Sequence, residues 1–486
     1  MSAGRTIRFT VALPSGKQQE LQLPVDTTVG ELRWKAQKAF GHGFLNLYAA
    51  DKMKLREPEK TLHAAGVQIG DHITAVALPV SIATNGLAFA LTSPASSIIV
   101  AWGALRFGAN APIGTKNVSK VCSVRDASFA AILEDDTVIT WGDPALGGDS
   151  SAVQPELWGI QRIQANDAAF AAIRADGSVV TWGDPGAGGN SFEVAHQLKQ
   201  VQNIQSTTLA FTAIRADGSL VTWGWPSHGG ASAIAQKELK QVQCVHATDR
   251  AFAAIVAGGR VVAWGDPGAG GDASHVQDQL LRVTSIQSTA SAFAAITEMG
   301  SVLAWGNPKF GGITAHVHDL LQDVQSIQST SFAFAAIRKN GSVVTWGCDR
   351  SGGDSSIVQR QLQHIQHIQA TTCAFAAIRA EGSVVTWGDP RWGGDSSAVQ
   401  HQLRSVQQIQ ATKSAFAAIL STGSVITWGL HGGDSTTVEH QLHNVIAIQS
   451  SRGAFAAVTA NGTVVSWGDA NVGGNSSDAQ HRLAYL

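Results

Sequence analysis

The dipeptide Trp-Gly recurs along this chain at an almost fixed interval. Its Trp falls at positions 102, 141, 182, 223, 264, 305, 346, 387, 428 and 467, in steps of 39, then 41 seven times, then 39. A Phe stands 12 or 13 residues before each Trp, from Phe89 and Phe129 to Phe416 and Phe455. A period near 40 marks a propeller or solenoid, whose units cannot bury their own apolar faces and must stack on neighbours. Ten units of about 41 residues fill 79–486. Most propellers use four to eight blades, so a ten-blade ring and an open or split arrangement are alternatives. A stacked array of this kind favours a surface for binding over a pocket for chemistry.

Composition supports a large buried interface. Hydrophobic residues make up 44% of the 486 and charged residues 14%, which argues against disorder. The formal net charge is −2. Residues 1–79 carry 10 Lys/Arg and 7 Asp/Glu, leaving 24 against 29 in the repeats, which have no basic run. No nucleic-acid or membrane partner is expected from such a field. Cys122, Cys244, Cys348 and Cys373 show no Cys-x-x-Cys spacing and read as free thiols of a reducing compartment. The start of the chain has no signal-peptide core, and no stretch approaches the ~18 apolar residues of a span. The expectation is a soluble intracellular protein, cytoplasmic or nuclear, and a monomer.

Residues 1–78 lie outside the repeat. Ile7–Ala12 and Glu20–Leu23 read as a hairpin, and Asp26-Thr27-Thr28 offers an N-cap. Val29, Leu32, Trp34, Ala36 and Phe40 fit an amphipathic helix, closed by Gly41 and Gly43. Leu45–Ala49 and His72–Ala77 read as two further strands. The order hairpin, helix, strand, strand predicts a small β-grasp domain. This segment resembles ubiquitin-like domains through its Val-Ala-Leu-Pro-Ser-Gly-Lys turn (11–17), its helix start Asp-Thr-Thr-Val-x-Glu-Leu (26–32), Lys60-Thr-Leu-x-x-x-Gly-Val67, and Gly70-Asp-His-Ile-Thr-Ala-Val. Where a conjugated ubiquitin ends in a free Gly-Gly, Ala77-Leu-Pro-Val80 runs on. The resemblance implies a built-in docking module with an apolar sheet-face patch near Pro14, Leu47 or Tyr48, and Val76. The alternative is that these side chains are core or pack on the repeats.

Aligned on Phe and Trp, the units share Val-Gln-x-Ile-Gln, then Ala-Phe-Ala-Ala-Ile-Arg, a Gly-containing turn, Ser-Val-Val-Thr-Trp-Gly, Asp-Pro-x-x-Gly-Gly-Asp-Ser, and Val-Gln-x-Gln-Leu. The first three segments that carry apolar side chains read as strands. Asp176-Gly177 and its counterparts, including Asn461-Gly462, are expected to form two-residue hairpins with both residues at φ > 0. The last segment is a fourth short strand or a helical turn. One ring among alanines predicts large-into-small interdigitation between blades. Ten Trp lining a ligand tunnel is the alternative. Ring closure is expected to pair Leu483–Leu486 with the strand at Val80. The repeats resemble the regulator of chromosome condensation type, closest to the short blades of β-lactamase inhibitor protein II. Gly-Gly-Asp-Ser replaces that family's Gly-Gln-Leu-Gly loop, and the first unit (Gly103-Ala-Leu-Arg-Phe-Gly108) lacks the Gly-Gly step. Chromatin and exchange-factor roles therefore do not carry over.

Chemistry is thin. Asp149, Asp272, Asp354, Asp395 and Asp434 recur one per unit and read as turn caps rather than calcium ligands. No Gly-Lys-Ser/Thr follows the Gly-Gly pairs, so they are not phosphate loops. His401, His440 and His481 are spread around the array. No catalytic, cofactor or metal residue is nominated, and no enzyme or cofactor is expected. The loop after Trp-Gly is what varies, and it carries anchor-type side chains at Trp225, Phe310, Arg350, Arg391 and Trp392. The alternative is drift in unselected loops.

The reading is a mainly β, non-enzymatic interaction scaffold linked to the ubiquitin pathway: the propeller recruits an unknown protein client and the ubiquitin-like domain docks on ubiquitin-pathway machinery. The same repeat type occurs in large HECT-type ubiquitin ligases, and no HECT domain is present in this chain. The alternative is a small-GTPase regulator acting through the propeller face. The change of period and charge at Pro79 predicts that 1–78 and 79–486 fold separately. Limited proteolysis should cut first near 77–86, and first cuts inside the repeats would refute the division.

Overall fold

A computed structural model of the chain describes residues 6–477 and 479, apart from 15, 25, 41–44, 50–54, 56–59, 69, 78–80, 93–98, 113–114, 116, 234, 236 and 461–462. The N-terminal segment is a β-grasp. β1 (Thr6–Ala12) and β2 (Gln18–Pro24) form the hairpin, α1 (Val29–Phe40) follows, and β3 (Leu45–Tyr48) and β4 (His72–Ala77) complete the sheet in the order β2-β1-β4-β3. The β1–β4 pair is parallel and central. Thr28 and Glu31 form a capping box: Glu31 N–H donates to Thr28 Oγ1 at 3.2 Å and Thr28 N–H to Glu31 Oε2 at 2.9 Å. Val29, Leu32, Ala36 and Phe40 pack from the helix onto Phe9, Val11, Leu45, Leu47 and Ile73. Gly41 and Gly43 fall outside the described residues.

Ten three-stranded antiparallel sheets follow, at 81–103, 118–142, 160–183, 201–224, 242–265, 283–306, 324–347, 365–388, 406–429 and 445–468. They are the blades of one closed β-propeller, numbered 1 to 10 here. The first strand of each blade neighbours the first strands of the blades on either side, and those of blades 10 and 1 also adjoin. First strands are therefore inner and Trp-bearing third strands outer. In blade 3 the middle strand Ala169–Arg174 alternates across the sheet. Phe170 and Ala172 face Ala130 and Ile132 of blade 2, while Ala169, Ala171 and Ile173 face Phe211 and Trp223 of blade 4. A ring on one blade fills the space that alanines leave on the other, so the Trp residues are core and not tunnel lining.

Two seams join the blades. In every blade the Trp stacks on its own Phe, with centroids 5.0–5.3 Å apart. Its indole N–H donates across the interface to the carbonyl of a loop glycine of the preceding blade at 3.0–3.2 Å. That glycine is left-handed, as at Gly147 with φ +88, and a Cβ on it would lie 2.7 Å from the Phe170 ring. The tenth such bond, Trp102 Nε1 to Gly473 O, joins blade 1 to blade 10 and closes the ring. Gly108 serves blade 2 in the same way, so the atypical first unit keeps the glycine that matters. The second seam runs from hairpin tips to the next inner strand at seven interfaces. Val201 N–H donates to Gly177 O at 2.9 Å, and Ile160, Val242, Val324, Ile365, Val406 and Val445 repeat the bond.

One expectation needs revision, one pair of alternatives is decided, and one pairing lies outside the described residues. The hairpins are three-residue loops, not two. Arg174 N–H bonds to Ser178 O and Gly177 N–H to Arg174 O, with only Gly177 left-handed and Asp176 accepting from Ser178 N–H. This is a type I turn ending in a glycine bulge. The glycine is demanded by the neighbour, because a Cβ on it would come 2.7 Å from Gln200 Cα. Asn461-Gly462 lies outside the described residues. No fourth strand forms among the described residues. Val-Gln-x-Gln-Leu is a 3-10 turn, as at Gln359–Gln361, and the Gln359 side chain bonds to Val343 O at the outer strand. Finally, closure rests on the Trp102–Gly473 bond and on Arg452 N–H to Gly86 O, while the expected pairing of 483–486 lies outside the described residues.

Trp264→Ala would remove a buried ring and the N–H bond to Gly229 O together. A loss of about 3–5 kcal/mol is expected in equilibrium denaturation, with Trp264→Phe losing less. An unchanged midpoint for Trp264→Ala would contradict the seam.

Candidate interaction face

Trp-Gly-Asp-Pro builds the loops that carry the variable side chains. Asp or Asn after Trp-Gly caps a short 3-10 turn with Pro at its first position: Asp143 accepts from Ala145 N–H, Asn307 from Lys309 N–H, and Asp389 from Arg391 N–H. Asp149, Asp272, Asp354, Asp395 and Asp434 each accept the N–H two residues on, at 2.8–3.0 Å, so they are turn caps. Those bonds hold Asp149 and Asp354 below the usual carboxylate range. His401 and His440 are exposed, and His481 lies outside the described residues. No cluster of three His, Cys, Asp or Glu able to hold a metal occurs among the described residues. The four cysteines are free and half-buried, and burial pushes the Cys122, Cys244 and Cys373 thiols up.

A second pin ties these loops to the turns between inner and middle strands. Four residues before the Phe of nine blades stands Asn85, Asn166, Thr207, Thr248, Thr289, Thr330, Thr371, Thr412 or Ser451, and blade 2 carries Arg125 there. Thr207 Oγ1 accepts from Ala210 N–H and donates to His228 O at 2.9 Å in the loop of its own blade. Thr248, Thr289, Thr330, Thr371 and Ser451 repeat the link. Channel turns and variable loops therefore share one face of the ring.

On that face Trp225 is half exposed and holds the cap position, where no side-chain cap bond forms. Phe310 is half-buried against Phe332, at 5.0 Å and 44°. Arg350 and Arg391 are exposed, and Arg391 clasps Asp389 through Nε (3.2 Å) and Nη2 (2.9 Å). Trp392 is only half exposed; it packs beside the core that holds Phe416 and borders the channel mouth. In the β-grasp domain, Tyr48 and Val76 are half-buried, but Leu47 is fully buried. Successive strand residues point to opposite faces, so Leu47 belongs to the core and cannot line a docking patch. Pro14 is exposed at the hairpin turn.

The sequence reading missed the channel mouth. A cavity of about 920 Å³ opens there. Its rim is a belt of backbone bonds three residues before the Phe of nine blades. N–H donates to the next blade's C=O from Asp167 through Thr208, Asp249, Ala290, Ser331, Thr372, Lys413 and Arg452 to Gly86, at 2.9–3.1 Å. Arg125, Asp126, Asp167, Asp249, Lys413 and Arg452 charge it. Arg452 pairs with Asp126 across blade 1, and Arg125 with Asp167 at 3.6 Å. Burial raises Asp167 and Asp249 above the usual carboxylate range. The signal was the two variable positions before Ala-Phe, overlooked beside the longer loops.

No family model matches the chain, and no curated protein matches it. Among solved structures, Prp20p from Saccharomyces cerevisiae, studied for its binding to Gsp1p and histones, is 15% identical over 58% of this chain and 74% of its own, with a TM-score of 0.31. The computationally designed Ika8 protein is 14% identical over 64% of this chain and 96% of its own, also at 0.31. A ubiquitin-like domain from Arabidopsis thaliana is 23% identical over 16% of this chain and 82% of its own, at 0.14.

Asp249 feels Arg125, Arg250 and His228, which oppose the rise, and burial outweighs them. A carboxylate raised in the fold stabilises below its unfolded pKa of about 3.9 and loses that contribution as pH rises through the folded value. Asp249→Asn should therefore raise the denaturation midpoint at pH 7 relative to the unaltered protein and leave it nearly unchanged below about pH 3.9. A lower midpoint at pH 7 would reverse the sign.

Proposed function

We propose that this chain is a non-catalytic scaffold whose loop-bearing propeller face binds a protein client, while the β-grasp domain docks on ubiquitin-pathway machinery. One observation carries the client reading. At Trp225 an exposed aromatic occupies a position that the frame fills with a capping Asp or Asn in six of ten blades. Giving up a cap costs about 1 kcal/mol, and half-exposed Trp is the side chain that most often anchors an interface. Arg350, Arg391, Phe310 and Trp392 extend the same face. The docking reading rests on the β-grasp fold and on Tyr48 and Val76, half-buried on its sheet. Among the described residues no helix is long and apolar enough to cross a membrane.

The test is affinity capture with the full chain, comparing the unaltered protein, Trp225→Ala/Arg391→Ala and Tyr48→Ala. The first variant should lose a client by about 1–2 kcal/mol in later titration and keep ubiquitin-pathway proteins. Tyr48→Ala should do the reverse. Identical partner sets for all three would remove both assignments.

A further inference from the structure

The channel mouth breaks the repeat at one place. Nine blades carry Asn, Thr or Ser four residues before the Phe, and blade 2 carries Arg125. The loop pin lost there is replaced by another residue. The position before the Phe is Ala in nine blades and Ser128 in blade 2, whose Oγ donates to Leu146 O at 2.6 Å. The belt reverses at the same point, with Asp126 N–H donating to Asn85 O. Gly86 leaves room for the Asp126–Arg452 pair, since a Cβ there would lie 2.5 Å from Asp126 Oδ1. An altered frame, repaired locally, places Arg125 in the channel beside Lys413 and Arg452 from blades 9 and 10.

Two of these cations are engaged: Arg452 by Asp126 and Arg125 by Asp167. Lys413 is exposed, and its ammonium makes no hydrogen bond or ion pair among the described residues. Burial and repulsion by Arg125 lower its pKa, and the attraction of Asp167 offsets this only in part. Asp126 Oδ1 and Arg452 Nε are buried without a partner at the same spot.

We infer that the channel mouth is a binding site for a peptide segment of a partner protein bearing acidic side chains, with a carboxylate meeting Lys413 between Arg125 and Arg452. The neighbouring carboxylates Asp126, Asp167 and Asp249, and a repeat region with 24 Lys/Arg against 29 Asp/Glu, oppose a polyanion such as nucleic acid. One or two carboxylates are tolerated. Ser and Thr hydroxyls and Trp392 complete the lining. This deepens the client reading and rests on it.

The experiment is fluorescence-anisotropy titration of a labelled Gly-Ser-Glu-Glu-Ser-Gly peptide, with two glutamates, into the full chain at low and high salt. The unaltered protein should bind, and salt should weaken the complex. Lys413→Glu should bind at least about tenfold more weakly, with circular dichroism unchanged because the side chain is exposed and unpaired. Lys339→Glu, on a hairpin of the other face, should match the unaltered protein. Equal affinity for Lys413→Glu, no binding at low salt, or tighter binding of a thymidine oligonucleotide would each overturn the inference. If Trp225→Ala and not Lys413→Glu weakens the diglutamate peptide, the acidic segment lies on the outer loops: the channel assignment falls and the client face stands.

Discussion

One hydrogen bond organises the ring: an indole N–H reaching from each outer strand to a glycine carbonyl of the blade before it. A buried indole N–H left unpaired costs about as much as a lost hydrogen bond, so each Trp needs its neighbour's loop in one position. That loop can reach only if its glycine is left-handed and has no Cβ, because the Phe of the next blade lies against it. The second glycine is fixed by the Trp-Gly backbone, where a Cβ on Gly148 would come 2.5 Å from Gly142 C. Trp, Phe and three glycines thus form one device, which is why they keep the same spacing.

The same device explains closure. A blade carries an indole donor on one side and a glycine acceptor on the other, so the last blade needs the first as much as any blade needs its neighbour. Phe89, Leu91, Val100 and Trp102 meet Ala454, Ala456 and Val464 as other blades meet theirs. Blade number follows from repeated interface geometry, and no strand exchange among the described residues is required. The inner belt adds backbone bonds at the narrowest radius from blade 3 round to blade 1, where unpaired N–H groups would be most costly.

On so uniform a frame, departures are informative. Trp225 stands where a capping carboxylate belongs, and Arg125 where a capping hydroxyl or amide belongs. The second is accompanied by Ser128, which restores the lost link to the loop. A local substitution repaired by a neighbour separates selection for a side chain from drift better than exposure alone. The two departures lie on one face, because the pins from Thr207 and its equivalents bind channel turns to outer loops.

The sequence alone determined the repeat, its three strands, the burial of Phe and Trp, the capping Asp residues, and the β-grasp order with Thr28 and Glu31 at the helix start. These follow from local periodicity and turn chemistry, which act over a few residues. It did not decide the hairpin type at Asp176-Gly177, the burial of Leu47 against Tyr48, or the number of blades in the ring. The first depends on the approach of Gln200 from another blade, the second on a one-residue register, and the third on the angle at which whole interfaces stack. The channel site belongs wholly to tertiary structure. Arg125, Lys413 and Arg452 are as much as 327 residues apart, and only closure of the ring brings their charges into one cavity.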